Sequence, residues 1–172
     1  KVSHVTIANW SNKFAPFFKL KVDKFKHQVD LQSDDWHADE TVVFINGIKH
    51  YLWLVIDSET RFIVSFHLSK YRDENSAFSL IHEAKKYGSP SNLVTDRWPA
   101  YNEAIATLLP NTKHLPVKPM SSDINNNLIE SFNKTFKAWY KSKKGFNSFE
   151  KANNLIFIFI FHYNFIRAHS SL

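Results

Sequence analysis

WHADETVVFINGIKHYLWLVID, residues 36–57, is the stretch that decides the fold. Two runs rich in β-branched and aromatic residues flank Asn46-Gly47, the dipeptide that most strongly favours a type I′ hairpin turn. A third such run, residues 61–70, follows a short turn at 58–60. We therefore predict a three-stranded antiparallel meander. The third strand should bury every second residue on one face, namely Phe62, Val64, Phe66 and Leu68.

Helices and short strands alternate after the meander. Residues 75–88 have helical periodicity and end at Gly88 and Pro90, and residues 92–96 form a short apolar run that ends at Asp96. A helix is predicted over 99–109, and residues 112–117 are predicted to be an edge strand, because Pro116 cannot donate to a sheet ladder. With right-handed crossovers, this order predicts a mixed α/β sheet with helices on both faces.

A polar helix is predicted over residues 124–144, with Glu130 near its centre. At 3.6 residues per turn its two faces differ sharply in character. The polar face carries Asn126, Asn127, Glu130, Lys134, Lys137 and Lys141, and the apolar face carries Leu128, Phe132, Phe136 and Trp139. The plainest interpretation is a surface helix, in which a solvated Glu130–Lys134 pair contributes about 0.2–0.5 kcal/mol.

Both ends of the chain are also predicted to be helical. Residues 2–14 form an amphipathic segment with Ser3 as the N-cap, typical either of the second helix of a helix-turn-helix or of a lead-in helix that caps the core. Residues 15–33 are interpreted as a basic connector, so the predicted division is 1–33 and 34–172. Residues 149–169 are predicted to form the last helix, with Asn147 and Glu150 as a capping box. The apolar run 155–161 would also suit a strand.

Composition limits the kind of partner. The chain has 22 Lys plus Arg against 16 Asp plus Glu, a net charge of +6, which suggests a polyanion such as nucleic acid. No cysteine is present, so any metal must be held by oxygen or histidine ligands. No apolar run approaches the ~20 residues that cross a bilayer. The expectation is a soluble intracellular protein of one compact domain with no membrane partner.

Three carboxylates are predicted to converge. Asp39 lies in the first strand, Asp96 ends the fourth, and Glu130 lies on the polar helix. If the first and fourth strands are neighbours, the site lies where the strand order switches, the place at which open α/β sheets bind ligands. Clustered carboxylates raise one another's pKa unless a cation neutralises them, and hard oxygen ligands select Mg²⁺ or Mn²⁺. Two such ions suit phosphodiester displacement.

Neighbouring residues have less specific signals. Asp57 and Glu59 fall in a turn, where acidic residues are ordinary. Glu40 should point away from Asp39 on a regular strand, so only one of them can face the site. Trp98 could flank substrate or could simply be a core aromatic. Lys141, Lys143 and Lys144 could be a solvated face, although no acid occurs between Ser131 and Phe149 to balance them.

Several blocks of sequence resemble, in order, the DDE transposases of bacterial and archaeal insertion sequences, most closely the IS-six family. The blocks are WHADET, LVIDSETRFI, the Arg72-Asp73 pair, VTDRWPAY, NNLIE with Lys137 seven residues on, KGFNSFEKA and HYNFIRAHSSL. The separation of 130 − 96 = 34 residues also resembles that family. After the glutamate, the family often has an acidic residue, a histidine and an arginine, where this chain has Phe132, Asn133 and Lys134.

The resemblance implies a fold and a chemistry. The fold would be a ribonuclease-H-like mixed sheet of three antiparallel and then two parallel strands. Asp39, Asp96 and Glu130 would be the catalytic and metal-binding triad for two Mg²⁺ ions, which Mn²⁺ could replace. Asn126 and Asn127 would support the site. The residues that contact DNA would be Arg97, Trp98, Lys134, Lys137, Lys141, Lys143 and Lys144.

The implied function is transposition. The chain would cut and join double-stranded DNA at element ends and target, acting as a homo-oligomer in the cytoplasm at the nucleoid. Two competing functions remain open on sequence: a ribonuclease-H-like nuclease that cuts without joining, and a catalytically inactive transposase derivative that only binds DNA. A purely structural domain is disfavoured by the unbalanced lysines and by the three carboxylates.

Overall fold

A computed structural model of the chain describes residues 1–29, 31, 33–117 and 127–167. The five strands are β1 (Asp35–Ile45), β2 (Ile48–Asp57), β3 (Ile63–Ser69), β4 (Asn92–Thr95) and β5 (Lys113–Pro116). The five helices of the described residues are α1 (His4–Lys26), α2 (Glu74–Lys85), α3 (Ala100–Leu108), α4 (Asn127–Lys141) and α5 (Phe149–Phe165).

The strands form one sheet in the order β3-β2-β1-β4-β5. β1 to β3 are antiparallel, whereas β4 runs parallel to both β1 and β5. Asn46 and Gly47 join β1 to β2 with φ angles of 50° and 74°, and a positive φ at both central residues is what a type I′ turn requires. The predicted meander, the edge position of β5 and the mixed sheet are confirmed.

Two apolar cores lie on opposite faces of this sheet. α2 and α3 cover one face, where Trp36, Trp53 and Leu80 are fully buried. α4 and α5 cover the other face, where Leu54, Phe132 and Ile156 are buried. Because side chains alternate along a strand, β2 contributes Trp53 to the first core and Leu54 to the second. The prediction of helices on both faces is confirmed.

The prediction of a single buried face on β3 is wrong. The register pairs Val55 with Ser65 and Ile56 with Ile63, which leaves Val64 as an extra residue on β3. Such a β-bulge shifts the alternation by one position. Phe62 and Val64 therefore pack under α2 and α3, while Phe66 and Leu68 pack on the opposite side.

The first helix is longer than predicted. α1 begins after Ser3, which caps the backbone N–H of Thr6, and continues to Lys26 through Pro16. A proline inside a helix removes one backbone hydrogen bond and crowds the preceding turn. The cost is offset by packing, because Ala15 and Val22 are buried against Phe157 of α5. The interpretation of residues 15–33 as a connector is therefore wrong for its first twelve positions.

The last helix is confirmed, but its cap differs. Ser148, and not Asn147, is the N-cap of α5, and its side chain accepts a hydrogen bond from the Lys151 N–H. Residues 155–161 are helical. α4 ends at Lys141 and α5 at Phe165, before the predicted ends at 144 and 169. The predicted start of α4 at 124–126 lies outside the described residues. Within the described part of the chain, no helix has the length and apolar character needed to span a membrane.

Candidate active site

The candidate site lies just beyond the carboxyl end of β4. The parallel pairing of β1 with β4 runs from Asp35 to His37, so β1 continues past the end of its shorter neighbour. Asp39 lies on this continuation, and Asp96 follows directly after β4. β4 is also where the chain crosses over to the other side of β1. The carboxylates therefore lie at the switch in strand order, as predicted.

Three carboxylates form a tight group there. Asp39, Glu40 and Asp96 each offer one oxygen atom, and these atoms all lie within 4.8 Å of one another. The prediction that only one of Asp39 and Glu40 could face the site is wrong. The two side chains do leave β1 on opposite faces, but β4 has ended at this level, and both reach Asp96 in the gap that it leaves. We call these three residues the acidic group.

Arg72 neutralises part of the acidic group. Its guanidinium forms ion pairs with Glu40 and, at 3.0 Å, with Asp96. The same guanidinium stacks on the ring of Trp98, 4.3 Å from the centroid. The hydroxyl of the fully buried Tyr101 donates a hydrogen bond of 3.2 Å to the second oxygen of Glu40. Both oxygens of Glu40 are thus occupied by protein groups.

Asp39 is the electrostatically strained member of the acidic group. Burial raises the pKa of its carboxyl to about 7, and the charges of Glu40, Asp96 and Glu130 act in the same direction. The Asn133 amide donates a hydrogen bond of 3.0 Å to Asp39. The Glu40 backbone N–H also donates to it, but these two donors do not compensate a buried carboxylate among like charges, so a cation would stabilise its ionised form.

Glu130 is placed near the acidic group without joining it. It lies in the first turn of α4, with its side chain exposed. Asn133, three residues later on the same helix, contacts Asp39, and the Glu130 charge contributes to the raised pKa of Asp39. Asn127 is the exposed first residue of α4. Asn126 lies outside the described residues.

The residues predicted to contact DNA all have exposed side chains, Trp98 being 36% exposed. Arg97 and Trp98 directly follow Asp96, and Lys134 lies one turn after Glu130 on α4. Lys143 and Lys144 follow α4 in the loop to α5, and Lys143 lies over the Trp139 ring at 5.4 Å. The exposed basic residues are Arg97, Lys134, Lys137, Lys141, Lys143 and Lys144.

The donor set of the acidic group fits a hard divalent cation. Mg²⁺ and Mn²⁺ prefer carboxylate oxygens, and Asp39 has a raised pKa that a bound cation would relieve. Arg72 and Tyr101 hold Glu40. Both oxygens of Asp96 also accept hydrogen bonds, from Arg72 and from the Trp98 N–H, but its side chain is 29% exposed against 8% for Glu40. Asp39 and Asp96 are therefore the members best placed to bind an ion. Glu130 would complete the set from α4.

Asp57 has a structural role. It is fully buried at the end of β2, and its carboxylate accepts hydrogen bonds from Ser33, Trp36 and Thr60. These contacts tie the second hairpin turn to the start of β1. The prediction that Asp57 lies in the hairpin turn is therefore wrong, since it is the last residue of β2, whereas Glu59 is exposed in the turn as predicted.

Arg72, Tyr101 and Asn133 are functional candidates to which sequence reasoning assigned no role. The Arg72-Asp73 pair was one of the resembling blocks. The position of Arg72, one residue before the N-cap of α2, was the feature that could have suggested a role for it. Tyr101 ends the resembling block VTDRWPAY, but its role could not be assigned, since its hydroxyl meets Glu40 only after α3 packs on the sheet. Asn133 replaces a residue type expected from the resemblance, and helical geometry places it one turn after Glu130 on the sheet side.

The family model and the similar proteins found by comparison agree with one another. The family model described as "DDE domain" matches residues 33–169. The chain is 31% identical over 156 residues to a "Transposase for insertion sequence-like element IS431mec" of Staphylococcus aureus, covering 90% of this chain and 66% of the relative. A transposase of element IS257 in transposon Tn4003, also from Staphylococcus aureus, matches equally well.

Two solved structures show the fold. The HTLV-2 integrase catalytic core domain in complex with magnesium (trimeric form) has a TM-score of 0.60 at 17% identity, covering 82% of this chain and 91% of that one. The catalytic domain of Mos1 mariner transposase has a TM-score of 0.55 at 14% identity, covering 93% and 83%. The predicted ribonuclease-H-like sheet is thus confirmed. The chain spans 66% of the length of the curated relatives that it matches.

Proposed function

The chain belongs to the DDE-domain family of insertion-sequence transposases, and from this premise we propose that it is a catalytic domain for metal-dependent DNA cleavage and strand transfer at element ends. The substrates are double-stranded DNA at the element ends and at the target. Asp39, Asp96 and Glu130 are the catalytic residues of this proposal.

The observation that carries the proposal is the meeting of Asp39 and Asp96 at the switch in strand order. Their oxygens lie within 4.8 Å, together with one of Glu40, and burial and like charges raise the pKa of Asp39 to about 7. Arg72 neutralises this group only in part, and a bound cation would remove the remaining repulsion among its carboxylates. The arrangement supports phosphoryl transfer.

Different residues of the chain hold the metal ions and orient the metal ligands in this proposal. Two Mg²⁺ ions, for which Mn²⁺ could substitute, would stabilise the attacking and leaving oxygens of an in-line displacement when bound. Asp39 and Asp96 would hold the metal from the sheet, and Glu130 would bind it from α4. Asn133 orients Asp39, and Arg72 fixes Asp96. Asn126 and Asn127 would support the site.

Two displacements make up the reaction. In the first, the oxygen of water bonds to the phosphorus and the P–O3′ bond breaks, which leaves a 5′-phosphate and a free 3′-hydroxyl. In the second, that 3′-hydroxyl bonds to a target phosphorus and displaces the target's own 3′-oxygen, so no energy source is needed. The exposed lysines of α4 lie beside the site and track the phosphate backbone.

The assembly that joins two ends needs more than one active site, so we propose a homo-oligomer on DNA. α1 belongs to the proposed N-terminal DNA-binding part, residues 1–33, as the remnant of a helix-turn-helix. Its exposed Asn9 is available for backbone or base contacts, whereas the Asn12 amide already donates to the Ala8 carbonyl. Residues 34–172 are the proposed catalytic core.

The test is cleavage and joining of labelled duplex DNA with Mn²⁺. Asp96→Asn should reduce both activities about 10³-fold or more, because several kcal/mol of transition-state stabilisation is lost, while DNA binding remains. Glu103→Gln, an exposed acid on α3, is the matched control and should be as active as the parent.

Two outcomes would replace the proposal. Cutting without joining would favour the nuclease. Binding without either activity in the parent chain, across metals and substrates, would favour the DNA-binding derivative.

A further inference from the structure

A second basic surface lies away from the acidic group. It is a groove of about 630 Å³ between α1, the β1–β2 turn and the α4–α5 loop. Among the described residues, its lining has three lysines and four asparagines and no acidic side chain. We call it the basic groove. Its polar lining residues are Asn9, Asn12, Asn46, Lys143, Lys144, Asn147 and Lys151.

The walls of the basic groove are held by backbone contacts. The N–H of Phe146 donates to the Phe44 carbonyl at 2.9 Å, and the N–H of Asn46 donates to the Phe146 carbonyl at 2.7 Å. Phe146 itself is buried. Lys144 and Gly145 turn the loop with positive φ angles of 53° and 92°. The lysines therefore project from a loop that is fixed against the hairpin.

The groove continues the basic face of α4. Lys134, Lys137 and Lys141 follow Glu130 along one face of that helix and lead to Lys143 and Lys144. From Glu130 to Lys141 the helix rises about 16 Å, and from Asp39 to Asn46 the strand spans about 23 Å. Phosphates of one DNA strand repeat about every 3.4 Å, so the groove lies about seven base pairs from the acidic group.

We propose that the basic groove binds the phosphate backbone of the same DNA duplex that the acidic group cuts, about seven base pairs from the cleaved bond. The proposal rests on the proposed function and adds to it a second contact, formed jointly by α1 and the α4–α5 loop. Charge complementarity selects the occupant: lysines without a compensating acid bind a polyanion, and asparagine amides donate to phosphate oxygens.

The experiment measures the affinity of the chain for a 24-base-pair duplex by fluorescence anisotropy between 50 and 200 mM KCl, without divalent metal. The groove variant combines Lys143→Gln, Lys144→Gln and Lys151→Gln. The matched control combines Lys85→Gln, Lys86→Gln and Lys113→Gln, three exposed lysines on α2, its C-cap and β5. A third variant replaces the three groove lysines with arginine.

The groove variant should lose salt dependence as well as affinity. Each phosphate contact contributes a slope of about 0.9, so the affinity of the parent should fall about 40-fold more across this salt range than that of the groove variant. The control should retain the parent's slope, and the arginine variant should restore it. Equal salt slopes for the groove and control variants would overturn the proposal. A groove variant with the parent's affinity and slope would also overturn it, and is the result expected if the groove binds an acidic protein segment.

A length series locates the contact. A 6-base-pair duplex is about 20 Å long and cannot reach from Arg97, which follows Asp96, to the groove, so it can occupy only one of the two places at a time. Arg97→Gln combined with the loss of the groove lysines should then cost more than the sum of the separate losses, whereas on 24 base pairs the losses should add. Losses that exceed the sum on both duplexes would overturn the shared-duplex geometry, and additive losses on both would overturn the spacing of about seven base pairs. Since no step needs cleavage, failure here leaves the proposed chemistry standing, and failure of the Mn²⁺ cleavage assay leaves the groove standing.

Discussion

Asp39 is the residue at which burial and charge act in the same direction. Burial raises the pKa of its carboxyl to about 7, against an ordinary value of 3.8, with Glu40, Asp96 and Glu130 adding to the effect. The folded, metal-free chain therefore binds more protons than the unfolded chain between these pH values. Its unfolding free energy should fall as pH rises from about 4 to about 7.

The raised pKa of Asp39 also predicts how metal binding depends on pH. Below about pH 7, a Mn²⁺ ion must displace the Asp39 proton, so apparent affinity should rise about tenfold per pH unit from pH 5 to 7 and then level off. Calorimetry in two buffers of different ionisation enthalpy would count the released proton. An affinity independent of pH between 5 and 7 would contradict this assignment.

Glu40 is predicted to position Arg72 and not to bind metal, because its side chain is only 8% exposed and Arg72 and Tyr101 occupy both of its oxygens. Burial and the Asp96 charge raise the pKa of its carboxyl, so Glu40→Gln removes an unfavourable charge together with the Arg72 ion pair. The unfolding free energy should therefore change by less than about 1.5 kcal/mol, and Mn²⁺ affinity should change much less than in Asp39→Asn.

Combining Glu40→Gln with Arg72→Gln tests the same assignment. The two changes should be non-additive in the free energy of unfolding by about 0.5–3 kcal/mol, since they remove one interaction. Loss of Mn²⁺ binding in Glu40→Gln as complete as in Asp39→Asn would make Glu40 a ligand.

The sequence was enough to predict that Asp39 and Asp96 lie close together. Asp39 belongs to the first strand, Asp96 ends the fourth, and these two strands were expected to be neighbours. Arg72, Tyr101 and Asn133 could not be assigned in the same way. Their contacts join α2, α3 and α4 to the acidic group, and the distance between such elements follows from packing of both sheet faces. The same limit applies to Glu40, whose position depends on where the neighbouring β4 ends.

At the scale of elements, α1 is held to the sheet through the β-bulge of β3. Lys26 donates a hydrogen bond of 3.1 Å to the carbonyl of Val64, the bulged residue, and lies over the Tyr87 ring at 4.7 Å. The Tyr87 hydroxyl donates to Asp23 of α1 at 3.2 Å. A periodicity argument predicts neither the bulge nor this attachment, which explains why the length of α1 and the faces of β3 were predicted wrongly.

Lys26 predicts a pH dependence of stability. Burial lowers the pKa of its amine from 10.5 to about 8, so the unfolded chain binds more protons between these values and the unfolding free energy should rise with pH above about 8. The gain should reach about 2 kcal/mol near pH 10. Burial raises the pKa of Tyr87, which reverses the trend above about pH 10.

Substitution at Lys26 isolates this effect. Lys26→Met keeps the length of the side chain without the charge, and urea unfolding between pH 8 and 10 should then show no rise. Lys24→Met, at an exposed position on the same helix, should keep it. A rise that survives in Lys26→Met would assign the pH dependence to another group.

At the scale of the whole molecule, the order of elements largely determined the architecture. A hairpin dipeptide, a meander and two crossovers leave few topologies when crossovers are right-handed, and the sheet order β3-β2-β1-β4-β5 is one of them. The docking of α1 on α5 could not be predicted in this way, because the apolar periodicity of one helix does not identify which other helix covers it.

The acidic group lies at the junction of β1, β4 and α4, and metal binding should therefore stabilise the whole fold. At 100 times its dissociation constant, a ligand that binds only the folded state adds about 2.7 kcal/mol, which for a chain of this size raises the melting temperature by about 5–10 °C. Mn²⁺ should produce this shift, and a chelator should reverse it.

Variants distinguish site binding from a general ionic effect. Asp96→Asn should abolish the shift, because it removes a proposed ligand between the two halves of the sheet. Lys144→Gln should retain the shift, since that loop is remote from the acidic group. Glu130→Gln should reduce the shift if α4 supplies a ligand on metal binding, as its position near Asp39 implies. An equal shift in all three variants would place the ions elsewhere and would remove the physical reason for the acidic group.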